Sequence, residues 1–306
     1  MKNFEEYTKT ILEKIREKAD GAFYVRITTA IKNNSIKLTG ILAAENGSEN
    51  GPCIYLNDFY EDYENKRIGV EEAAEEIYGL LAAYLKNVDG YAAAIAGLKK
   101  WEAARGAIHA KLINAEQNRK LLGKIPHRIF LDMAVVYYMT AEVFKEQDIG
   151  TILINNEHME MWGQKEEELY QNAMYNMRSD GGPDFKSIEA VIKDFFPNQA
   201  DCEDGRTHRS DAGMYILTNC RKCFGASELL DQNTLQDIAD KIGDGFIILP
   251  SSLHEVIVLP FQDEAEYKTL AEMVKEVNDT QVSVEERLSY HVYAYSRSEG
   301  TLKIVA

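Results

Sequence analysis

Residues 245–260 read GFIILPSSLHEVIVLP. GFIIL is apolar at successive positions, the pattern of a strand buried on both faces, and VIVLP matches it beyond SSLHE. Two such strands joined by a short polar corner predict a hairpin. Pro250 has no N–H and ends the first strand's ladder. Ser251 and Ser252 can satisfy free main-chain groups at the corner.

The same corner gathers residue types used in hydrolysis: Ser251, Ser252, His254 and Glu255. A serine nucleophile needs a base within hydrogen-bond reach and a third group to orient that base. Ser252 and His254 lie two apart and can share a face. Glu255 follows His254 directly, points the other way on a strand, and cannot orient it. No Gly-x-Ser-x-Gly elbow occurs in the chain. A hydrolase centred on these residues, with His291 as an addition, is therefore the alternative reading. A main-chain-satisfying corner is the leading one.

Outward from the hairpin, the chain reads as a mixture of helices and antiparallel strands. Phe4, Tyr7, Ile11, Leu12 and Ile15 fall at helical spacing. Residues 22–33 (AFYVRITTAIKN) and 36–44 (IKLTGILAA) read as strands joined by a turn at Asn33-Asn34-Ser35, and GPCIYL as a third. NDFYEDYENKR reads as one or two helical turns. Val70, Ala73, Ala74, Ile77, Leu80, Leu81 and Tyr84 mark a long helix. The first ninety or so residues thus predict α-β-β-β-α-α, a three-stranded meander covered by helices. Beyond an Ala-rich stretch, GAIHAKLIN predicts a strand and AEQNRKLLGKI a helix. RIFLDMAVVYYMTA and GTILIN follow as strands. SDGGPD predicts a turn and FKSIEAVIKDFF a helix. MYILTN, YHVYAYSR and TLKIVA complete the strands. The expectation is an α+β protein of two lobes, each an antiparallel sheet covered by helices. The boundaries are 1–88, a helical joint at 89–103, and 104–306 with a mobile polar loop near 197–213.

Composition limits function. The formal net charge is -16, from 50 acidic and 34 basic residues. That sign repels a phosphate backbone and an anionic membrane surface, so neither nucleic acid nor membrane is an expected partner. The N-terminal residues lack the apolar core of a signal peptide, and no run approaches the roughly 18 apolar residues of a spanning helix. A cytoplasmic location is expected.

Four cysteines in a long chain argue against a disulfide scaffold. Cys220-x-x-Cys223, with Cys202 and His208 upstream, could supply four tetrahedral zinc ligands, but the spacing matches no familiar finger. No Gly-x-Gly-x-x-Gly, Walker loop or His-Glu-x-x-His occurs, and no cofactor is expected. The acidic segment with Asp58, Glu61 and Asp62 lacks the register of a calcium loop. His109, inside an apolar strand, reads as a hydrogen-bonded core histidine.

The chain has 17 tyrosines, a residue type suited to interfaces. Tyr55, Phe59, Tyr60 and Tyr63 form the candidate binding patch. The leading functional expectation is a non-catalytic protein-binding or adaptor module with a protein partner.

Taken together, YLNDFYEDYENKR, NAEQNRKLLGKIPHRIFLDMAVVYY, ILINNEHMEMWG with EEELYQNAMYN, MYILTN with GASELL, GFIILPSSLHEVIVLP and MVKEVNDTQVSVEERLSYHVYAY carry a resemblance. The chain resembles an uncharacterised bacterial family, domain of unknown function 5688. The stretches run in the family's order over nearly the whole chain. The resemblance implies the fold and a full-length unit, and no reaction. It also implies no need for cysteines at positions 220 and 223.

Overall fold

The structure, a computed structural model, describes residues 1–45, 51–86, 99–142, 149–195, 213–250, 252–261 and 263–306. The chain divides into two compact units, Met1–Gly97 with Glu142–Asp148, and Leu98–Ala141 with Ile149–Ala306. The predicted joint falls largely outside the described residues, as does the polar loop near 197–213.

In the first unit, helix α1 (Phe4–Ala19) starts at a reciprocal cap. The Asn3 side chain accepts from the Glu6 N–H at 2.9 Å, and the Glu6 carboxylate accepts from the Asn3 N–H at 3.3 Å. Strands β1 (Tyr24–Ile31), β2 (Lys37–Ala44) and β3 (Cys53–Tyr55) pair antiparallel in that order. Asn34, at φ 56°, turns the chain between β1 and β2, as its tolerance of the left-handed region predicts. The register sets Val25 beside Ala43 and Ile27 beside Ile41. Val25, Ile41 and Ala43 bury against Tyr7, Ile11 and Ile15 of α1 and Ala73, Ala74, Ile77 and Leu81 of α3 (Val70–Lys86). Helix α2 (Asn57–Glu64) lies between β3 and α3 in the chain.

The second unit holds two antiparallel sheets where the sequence predicts one. The first contains β4 (Ile108–Asn114), β5 (His127–Phe130), β6 (Met133–Glu142) and β7 (Ile149–Leu153), with β6 pairing the other three. The second has the order β13-β12-β10-β11-β9-β8, from β8 (Pro183–Ser187), β9 (Tyr215–Asn219), β10 (Gly245–Leu249), β11 (Val256–Pro260), β12 (Tyr293–Ser296) and β13 (Thr301–Ile304). The two sheets share one core, in which Phe246, Ile248, Val256 and Val258 meet Leu112, Ala134 and Val136. Ile247, Leu249 and Leu259 pack with Leu270 and Val274 of the helix Tyr267–Thr280. Strand β10 is thus buried on both faces, and it pairs β11 as the predicted hairpin.

Two predicted elements divide differently. RIFLDMAVVYYMTA is two strands, folded back at Leu131, which takes φ 59° without being glycine. The turn is held from a distance: the Asp132 carboxylate accepts from Tyr293 Oη at 2.7 Å and Ser289 Oγ at 2.6 Å. Residues 183–187, read as the end of a turn and the start of a helix, form β8, and the helix begins only at Ile188. Among the described residues, no helix is long and apolar enough to cross a membrane.

Candidate functional site

At the β10–β11 corner, the Ser252, His254 and Glu255 side chains are engaged by neighbouring groups. The Ser252 N–H donates to the Glu255 carbonyl at 3.2 Å. Ser252 Oγ donates to Glu255 Oε1 at 2.8 Å and accepts from the His254 N–H at 3.0 Å. His254 Nδ1 accepts from the Phe224 N–H at 3.2 Å, which puts any ring proton of the neutral imidazole on Nε2. Nε2 lies 3.6 Å from Glu286 Oε1. The His254 carbonyl accepts from Thr218 Oγ1 at 2.7 Å. The serine therefore faces Glu255, while the histidine faces Phe224 and Glu286, so the structure brings no Ser252–His254 side-chain pair together. Ser251 lies outside the described residues. His291 Nδ1 is engaged with the Ala306 carbonyl at 3.0 Å.

The Cys-x-x-Cys forms a turn after β9. Cys220 is exposed, and its thiol donates to the Asp180 carbonyl at 2.7 Å. Cys223 is half-buried, and burial pushes its thiol up from the ordinary value. The Asn219 amide clamps this turn, donating to the Cys223 carbonyl at 2.8 Å and accepting from the Cys223 N–H at 3.2 Å. Cys202 and His208 lie outside the described residues. Among those described, no group of three or more His, Cys, Asp or Glu is arranged to hold a metal.

The aromatic patch belongs to the first unit. Phe59, Tyr60 and Tyr63 are half-buried on that unit's core. Tyr60 and Tyr63 pack on the fully buried Tyr7 ring at centroid distances of 5.3 and 5.0 Å. Tyr60 Oη donates to the Lys2 carbonyl at 3.3 Å, and the Lys2 N–H donates to Tyr63 Oη at 3.0 Å. Tyr55 lies under Lys32, with Nζ 4.6 Å from the ring centroid. Asp58, Glu61 and Glu64 are exposed around the rings.

A further cavity escaped the sequence reading. It measures about 30 Å³ and is lined by His109 and Tyr138 of the first sheet, Asp180, Cys220, Arg221 and Glu228, among others. Glu228 is 1% exposed, and its Oε1 has no hydrogen-bond partner among the described residues. Burial, with the Asp231 carboxylate nearby, pushes its carboxyl up to about 8. His109 is also buried, and its Nδ1 is likewise unpartnered. Its Nε2 lies 3.0 Å from the Arg221 guanidinium, which can only donate. Burial and then Arg221 push the imidazole down to about 4, against the opposing pull of Asp180. Arg221 in turn pairs with Asp180 at 2.8 Å. His109 was visible as a core histidine, yet nothing in its strand signals the missing partner. Glu228 was hidden because a single glutamate in GASELL carries no signal of burial, while all six residues are buried.

Three of the stretches that carry the resemblance meet in the second unit: Thr218 of MYILTN donates to the His254 carbonyl, and the Ala226 N–H of GASELL donates to the Leu253 carbonyl at 3.2 Å. The family model matches residues 4–297, nearly the whole chain. This chain belongs to the Family of unknown function (DUF5688). No curated protein and no solved structure matches this member of the family.

Proposed function

We propose that this family member is a non-catalytic protein-binding module of the cytoplasm that recognises a basic partner through α2. One observation carries the reading. Half-buried Phe59, Tyr60 and Tyr63 sit among the exposed carboxylates of Asp58, Glu61 and Glu64. Aromatic anchors inside a charged rim are what a protein interface uses for affinity and for steering. Tyr60 and Tyr63 are held by Lys2 and by the Tyr7 ring, so little side-chain freedom remains to be lost on association. The acidic balance of the chain supports a basic partner, and its sparse cysteines suit a reducing compartment.

The test is affinity capture from native cells with mass spectrometry, using the wild type, Asp58→Lys/Glu61→Lys, and Glu276→Lys in the second unit as a control. A partner retained by the wild type and the control, released by rising salt and lost by the double variant, supports the reading. Capture unchanged by the double variant refutes it. Ester or peptide turnover that disappears in Ser252→Ala would refute the non-catalytic part.

A further inference from the structure

We propose that the cavity between His109 and Glu228 binds one small uncharged group that both accepts and donates a hydrogen bond, a hydroxyl or a primary amide. Two polar side chains line the same cavity, each more than nine-tenths buried, and each presents an atom with no partner among the described residues. Such atoms are rare in folded proteins and costly to leave unmatched.

Two groups compete for His109 Nε2: the Arg221 guanidinium, which can only donate, at 3.0 Å, and Asp180 Oδ2, which can only accept, at 3.4 Å. The shorter contact, within hydrogen-bond range, is the one with Arg221, so Nε2 accepts and the neutral ring carries its proton on Nδ1. The free atom is therefore a donor, which calls for an oxygen acceptor on the ligand. The neutral Glu228 carboxyl offers both a carbonyl oxygen and an O–H, so Oε1 matches the other side of a ligand group that can itself donate and accept.

Charge selects against an ion. The cations near the cavity are already matched, Arg221 by Asp180 at 2.8 Å and Arg178 by Asp231 at 2.9 Å. An anion entering would lose its water without gaining an uncommitted positive charge, and a cation would meet a Glu228 carboxyl that burial keeps neutral. Size sets the upper limit: about 30 Å³ admits a group of a few atoms at most. Asp180 and Arg221 at its edge are only partly buried and Cys220 is exposed, so a terminal group can enter from solvent.

This inference concerns the second unit and stands whether or not α2 binds a protein. It is tested on the full, ¹⁵N-labelled chain by following the His109 imidazole Nδ1 resonance during titration with formamide and, separately, methanol. A saturable shift is expected, at best in about the millimolar range for probes this small. Glu228→Leu should weaken the formamide response about tenfold, the loss of one buried hydrogen bond. A linear, unsaturating shift would mean that the cavity holds water only and would overturn the proposal. So would a saturable shift indifferent to the Glu228 substitution. Should the variant fail to fold, a crystal of the wild type soaked in formamide decides: density between His109 and Glu228 upholds the proposal, and density elsewhere or none overturns it.

Discussion

The most demanding prediction concerns Glu228→Gln and pH. In the folded chain the Glu228 carboxyl is raised from its ordinary 4.5 to about 8, by burial first and then by Asp231. Between those values the unfolded chain has released a proton that the folded chain keeps. The folded state thus binds more protons, and stability falls as pH rises through this window. His109 works the other way. Its imidazole is lowered from 6.5 to about 4, so the stability of its neutral form is present above 6.5 and is lost as pH falls below that. Above 6.5, of these two groups only Glu228 contributes a slope. From the linkage relation, the wild type should lose about 2 kcal/mol between about pH 6.5 and about pH 8.5. Glutamine resembles the protonated acid in shape and cannot ionise, so Glu228→Gln should remove most of that slope. Urea denaturation across this range measures it, provided the slope of free energy against urea stays constant. A wild type that is flat from 6.5 to 8.5, or a variant that falls as steeply as the wild type, refutes the assignment of a neutral Glu228.

Three other substitutions probe the same region. Ser252→Ala removes the hydroxyl that satisfies Glu255 and the His254 N–H, and should cost about 1–3 kcal/mol in a urea midpoint measurement. Gly225→Ala should cost about 3 kcal/mol or more by the same assay, because a Cβ there would lie 2.2 Å from Thr218 Oγ1 and 2.6 Å from the His254 carbonyl oxygen. In Arg221→Ala, the pH titration of His109 followed by NMR should move upward from about 4 yet stay below 6.5, since burial is the larger cause of its depression.

What was legible in the sequence followed periodicity. The apolar runs of β10 and β11 announce a doubly buried hairpin because no polar side chain interrupts either face. Asn34 announces its turn because asparagine tolerates positive φ. Leu131 announces nothing: it takes the left-handed conformation next to Asp132, whose carboxylate is held from Ser289 and Tyr293 far along the chain. Phe185 fits the helical spacing that follows it, and its pairing with Leu217 and its stacking on Tyr215, at a centroid distance of 4.9 Å, show that it belongs to the sheet. The cavity was illegible for a related reason. Whether a buried polar atom has a partner depends on what other elements bring to it, and no local pattern encodes that.

The corner and the cavity are two ends of one packed column. His254 stacks on Phe224 at 5.3 Å, Phe224 meets Tyr138 edge-on at 5.0 Å, and Tyr138 meets His109 edge-on at 5.5 Å. Phe224 takes φ 55°, a conformation that costs of order 1 kcal/mol for a bulky residue. Its N–H finds its acceptor in His254 Nδ1. The next residue, Gly225, packs where no Cβ fits, and the turn it opens carries Glu228 into the core. The imidazole that looks catalytic in the sequence is thus an acceptor for a strained main-chain donor. Its consequence reaches the cavity: by fixing Phe224, the corner fixes the turn that presents the Glu228 carboxyl beside His109.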